Sequence, residues 1–80
     1  MTLDFNHRHL AFAVKEKGWD KRRFRDAFIS RCVEIGLATP SDVSIHNWYN
    51  GKHQPRARYV RVMSLVLDKP MEFFLGGEAV

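Results

Sequence analysis

Apolar residues in this chain recur at intervals of three and four, and rarely of two. That spacing suits one face of an α-helix and denies a β-sheet the alternation it needs. With glycine and proline taken as stops, it predicts five helices joined by short connections, and so a compact all-α fold. The first runs from a cap at Asp4 to about Lys17. His7, Leu10, Ala11 and Val14 share its face, Phe5 and Phe12 widen that face, and Gly18 follows. The second opens at the acidic cap Asp20 and continues to about Ile35 along a stripe of Phe24, Ala27, Phe28, Cys32 and Ile35. Arg31 falls inside that stripe by helical angle, so either its stem packs while its head reaches water or the helix bends near Ser30. Pro40 suits the first turn of a third helix, capped by Thr39 or Ser41, which reaches Asn50 and stops at Gly51. The fourth follows Pro55 and runs to about Leu67. Asp68 is expected to cap a short fifth helix, from Pro70 to Leu75, ended by Gly76 and Gly77.

Eighty residues make one domain, read as residues 1–80 with order from about 4 to 76 and a tail at 77–80. With 45% apolar and 12% aromatic side chains the core needs no covalent staples. The single cysteine, Cys32, excludes an internal disulfide framework and points to a reducing, intracellular setting. No stretch approaches a membrane span, and MTLDFNHRHL lacks the basic start and apolar run of a secretory signal.

The charge is uneven. Residues 1–67 carry twelve basic and six acidic side chains, whereas residues 68–80 carry one basic and three acidic. Two clusters make the positive part: KEKGWDKRRFR at 15–25, and KHQPRARYVR at 52–61, which contains no acid. A basic surface on a small intracellular domain suits a polyanionic partner, with ordinary solubilising charge as the alternative.

Between those clusters lies the third helix. At 100° per residue Ile45, Trp48 and Tyr49 fall on one side and should enter the core. Val43, Asn47 and Asn50 then face outward, with Ser44 and His46 on the shoulders. Such a short, uncharged polar face suits the major groove, where amides pair with adenine, a hydroxyl goes either way and valine meets a thymine methyl. Flanking cations, Lys21 and Arg22 before it and Lys52, Arg56 and Arg58 after it, would bind phosphate and set the register. The alternative is an ordinary polar surface on a core helix.

The run SIHNWYNGKHQP, followed by a further helix and then FFLGGE, resembles the lambda-repressor-like helix-turn-helix domains of phage repressors, Cro proteins and related bacterial regulators. Ile45, Trp48, Gly51 and Pro55 stand at the family spacing, as does the Phe73–Gly77 ending, and LAFAVKEKGWDKRRFR matches the family's first helix and the start of its second. The likeness covers most of residues 8–78. It implies that Lys21 approaches the DNA backbone, that Val43, Ser44 and Asn47 face base edges, and that Asn50 contacts phosphate. Phe24 to Gly51 spans about ten residues more than is usual in the family. Either the first helix of the motif is long or its turn is a loop.

Other chemistry is weakly signalled. His7 and His9 diverge by about 200° on a helix and cannot chelate together from one face. His46 and His53 have no neighbouring cysteine, so no metal or cofactor is expected. Cys32, within an apolar stripe, reads as an inert thiol, and no small-molecule pocket is expected. The apolar residues Tyr59, Val62 and Val66 form a second stripe on the fourth helix. Either that helix is buried on two sides, or the stripe joins Met71 or Phe74 in a self-association surface.

The leading expectation is a non-enzymatic, cytoplasmic, bacterial or phage-encoded transcriptional repressor. It would bind double-stranded DNA as a homodimer through Val43, Ser44, His46 and Asn47, with Tyr59, Val62, Val66 and Phe74 at the dimer interface. The alternative is a helix-turn-helix scaffold used as a protein-interaction module, an adaptor or an antitoxin-like inhibitor.

Overall fold

A computed structural model describes residues 4–75. They form five helices: α1 His7–Glu16, α2 Lys21–Glu34, α3 Asp42–Tyr49, α4 Ala57–Leu67 and α5 Met71–Phe74. Among the described residues the only β pairing is an isolated antiparallel bridge between Phe5 and Leu75. The expected ending at Gly76 and Gly77, and the tail, lie outside the described residues.

Three helices start on a side-chain cap. Asn6 accepts from the Arg8 N–H at 3.0 Å, Asp20 from Arg23 at 2.8 Å and Ser41 from Ser44 at 3.1 Å. Each satisfies a backbone donor that the first turn leaves free. The expected cap Asp4 lies two residues too early, because Phe5 is extended and pairs with Leu75 instead of starting the helix. Pro40 likewise precedes the cap of α3 and lies outside its first turn. Asp68 does not cap α5. It ends α4 in the left-handed region at φ 57°, and Pro70 takes the N-cap position of α5.

The stretch from Phe24 to Gly51 divides between helix and loop. α2 has 14 residues and is continuous through Ser30. The Arg31 stem is therefore half-buried while its head reaches Glu34 at 3.3 Å. α2 then closes in a Schellman turn, with Gly36 N–H donating to Val33 and Leu37 N–H to Cys32. Residues 35–41 carry the chain to α3, anchored by Leu37 against the core and by the Tyr59 hydroxyl, which donates to the Ala38 carbonyl at 2.7 Å.

α1 packs on α3 and α5, and α4 is covered by α2 on one side and α5 on another. The core takes Leu10, Ala13 and Val14 from α1 and Phe24, Phe28 and Cys32 from α2. Ile45 and Trp48 enter from α3, Val60, Val62, Met63 and Leu67 from α4, and Phe74 from α5, with Phe5 beside them. Its centre is aromatic: Trp48 meets Phe28 edge-on at 5.8 Å and Tyr59 at 5.3 Å, so three helices share one cluster. Two residues expected to extend the apolar faces do not. Phe12 is 56% exposed and Ile35 is 50% exposed, the first on the outer side of α1 and the second at the end of α2.

Candidate nucleic-acid interface

Because Ile45 and Trp48 are buried and Tyr49 is half-buried, α3 has the rotation expected of it. Val43 is 67% exposed, His46 and Asn50 are exposed, and Ser44 and Asn47 are half-buried at the margin. The exposed side of α3 forms a ridge between two clefts. One, of ≈ 500 Å³, is lined by Lys21, Arg22, Arg25, Asp42, Val43, Ile45 and His46. The other, of ≈ 450 Å³, is lined by Pro40, Ser44, Trp48, His53, Gln54, Pro55, Arg56 and Tyr59. Cations thus flank the ridge on both sides, from the start of α2 and from the turn before α4.

The only acid lining these clefts, Asp42, is occupied. Arg25 reaches its carboxylate at 3.5 Å and Asp26 at 3.2 Å, tying α2 to the start of α3. Arg25 is thereby committed to the protein, whereas Arg22 beside it is exposed. The Lys21 ammonium sits 5.0 Å above the Tyr49 ring, a cation–π contact that holds it at the edge of α3. Burial, with the charge of Asp20 adding to it, raises the pKa of Tyr49. A neutral phenol under the ammonium leaves the positive potential of this edge intact.

Side-chain polarity along α3 is locally organised. Ser41 donates its hydroxyl to Ser44 Oγ at 3.1 Å. The amide nitrogen of Asn50 lies 2.8 Å from His46 Nε2, and that of Asn47 lies 3.4 Å from His53 Nδ1. His53, outside the expected reading set, joins it because the turn at Gly51 bends the chain back. Lys52 N–H donates to the Asn47 carbonyl at 2.9 Å and His53 N–H at 3.4 Å. The glycine that permits this turn, at φ 78°, was the signal in the sequence.

Not every expected residue gathers here. Lys52 is exposed in the turn after α3. Arg58 lines a separate groove with Ile35, Leu37, Arg61 and Met71, away from the ridge. The proposed dimer residues are corrected more strongly. Val62 is 1% exposed and Phe74 is fully buried, because α2 and α5 cover both apolar sides of α4. Tyr59 and Val66 are half-buried against the same core. Of the second stripe of α4, Val62 is core, while Tyr59 and Val66 keep part of their surface exposed.

Among the described residues no three His, Cys, Asp or Glu side chains gather as a metal site, and no helix is long and apolar enough to cross a membrane. Cys32 is buried, which raises its pKa and keeps it a thiol. No protein-family model, curated protein or solved structure gives a significant match to the chain.

Proposed function

We infer that the chain is a lambda-repressor-like helix-turn-helix domain that lays α3 in the major groove of double-stranded DNA. Its biological role would be transcriptional repression by promoter occupancy, in the cytoplasm of a bacterium or of a phage-infected cell. The observation that carries this reading is the two-sided character of α3. Ile45 and Trp48 lock it into the core, while Val43, His46 and Asn50 stand on a ridge, with Asn47 half-buried at its margin, flanked by Lys21, Arg22 and Arg56. Such a helix offers base-edge contacts at its crest and phosphate contacts at its margins. A short helix covers few base pairs, so specific binding calls for two half-sites and a homodimer on DNA. Its contact surface would lie outside the buried stripe of α4.

The test is fluorescence anisotropy on duplex DNA across a salt series. Lys21, Arg22 and Arg56 would provide about three phosphate contacts, so the log–log slope per protomer should lie near −3 by the ~0.9-per-contact rule. Absence of binding at low salt would sink the DNA reading. The protein-interaction alternative is favoured by Val33 on α2 and Leu65 on α4, which are 67% and 49% exposed. A salt-insensitive interaction would support it.

A further inference from the structure

Two imidazole–amide pairs stand along α3, and their polarity can be deduced. An amide nitrogen donates hydrogen bonds but has no lone pair with which to accept. The Asn50 nitrogen, 2.8 Å from His46 Nε2, and the Asn47 nitrogen, 3.4 Å from His53 Nδ1, must therefore both be donors. Each facing ring nitrogen is the acceptor. In this arrangement both amides stand with nitrogen toward the ring and oxygen away from it.

The consequence for Asn47 is specific. One of its two N–H groups is taken by His53, leaving the other N–H and the oxygen. That donor and acceptor match adenine, whose N7 accepts and whose N6 amino group donates in the major groove. An amide turned over would aim its oxygen at the ring and present two donors, the pattern that suits guanine N7 and O6. The partner of the amide thus selects between two purines. His53 is well placed for this, because its own N–H donates to the Asn47 carbonyl and it lines the cleft beside Ser44 and Arg56.

We propose that His53 and His46 are positioning residues that hold the Asn47 and Asn50 amides oxygen-outward, and that the base opposite Asn47 in each half-site is adenine. This rests on the duplex-DNA reading given above.

The experiment is selection from a random duplex library by the wild-type chain and by Asn47→Ala, His53→Ala, His53→Gln and His53→Lys. Thermal melts and affinity for a non-specific duplex are measured alongside. Wild type should enrich adenine at one position per half-site, and Asn47→Ala should flatten that preference. His53→Ala should reduce it roughly fivefold or more, since a good bidentate pair discriminates by at least that factor. His53→Gln, whose carbonyl can accept, should restore it. His53→Lys, which can only donate, should abolish it or turn it toward guanine. An adenine preference that survives both His53→Ala and His53→Lys overturns the proposal, as does failure of His53→Gln to rescue in a folded protein. Another base opposite Asn47 also overturns it. In all three cases salt-dependent duplex binding would persist, and the DNA reading would stand. A folded wild-type chain that binds no duplex at low salt overturns both.

Discussion

Replacing Gly51 by alanine should cost more stability than the same change at Gly36, although both glycines have nearly the same backbone conformation. Their φ angles are 78° and 76°. A side chain in that left-handed region costs about 1–2 kcal/mol, equally at the two sites. The surroundings differ. A Cβ at Gly36 would meet nothing within 4 Å, whereas one at Gly51 would stand 2.6 Å from Nδ1, 2.7 Å from Cε1 and 3.0 Å from Cγ of His7. The imidazole must then swing out or α1 must separate from the α3 turn, an overpacking that costs about 1–3 kcal/mol more. Gly36→Ala is therefore expected to lose about 1–2 kcal/mol and Gly51→Ala about 2–5 kcal/mol. Urea unfolding followed by circular dichroism measures both. The steric part is isolated by the cycle with His7→Ala, which should show a coupling of about 1–3 kcal/mol because the truncated ring leaves room for the new methyl. Equal losses at the two glycines, or no coupling to His7, would refute this account of the turn.

Trp48→Ala should lose about 3–5 kcal/mol by emptying the cluster shared with Phe28 and Tyr59, while its neighbour Asn47→Ala should melt almost as wild type and change base preference. If the melts rank these two in the opposite order, the rotation assigned to α3 is wrong. Val62→Glu places a carboxylate without a partner in the core, at a cost of several kcal/mol. It should abolish cooperative unfolding, and a folded, soluble Val62→Glu protein would show that the stripe is open after all. Cys32 is fully buried, so a thiol reagent should label it only as fast as the domain unfolds. Fast labelling of the native protein would contradict its burial.

Periodicity revealed most of the helices and the rotation of α3, because Ile45 and Trp48 are large, apolar and correctly spaced, with Gly51 marking the stop. Where a face ends was harder to read. Val62 and Phe74 looked available for a partner because a stripe of apolar residues does not say how many neighbours cover it. Two neighbours pack on α4, and they bury Val62 fully and Tyr59 and Val66 in part. Phe12 looked internal for the converse reason: its ring rests at the margin, 6.3 Å from that of Phe73, and among the described residues no further element encloses it. Caps failed where an alternative partner existed. Asp4 lost to Asn6 once Phe5 paired with Leu75, and Asp68 was used to end one helix instead of starting the next. Of the candidate site, the crest of α3 and its flanking cations were legible from charge and spacing. The Arg25–Asp42 tie and the return of His53 to Asn47 depend on how the loop and turn fold, and no local pattern announces them.

The joining of Phe5 to Leu75 has a kinetic side. Asn6 N–H donates to the Phe74 carbonyl at 2.8 Å, and the His9 ring pairs with the Phe73 carbonyl at 2.7 Å. These contacts connect opposite ends of the described chain in a fold whose other elements are short helices. Among the described residues, closing so long a loop carries the largest entropic cost, so this seam should form after the helices have condensed. It should also be the first to part. Separation of residues 5 and 6 from α5 removes cover from Phe74, and the two ends should open as one cooperative unit below the free energy of global unfolding. In native-state hydrogen exchange, the Asn6 amide and the amides of α5 would then share one protection level, while those of α2 and α4 would exchange only through complete unfolding.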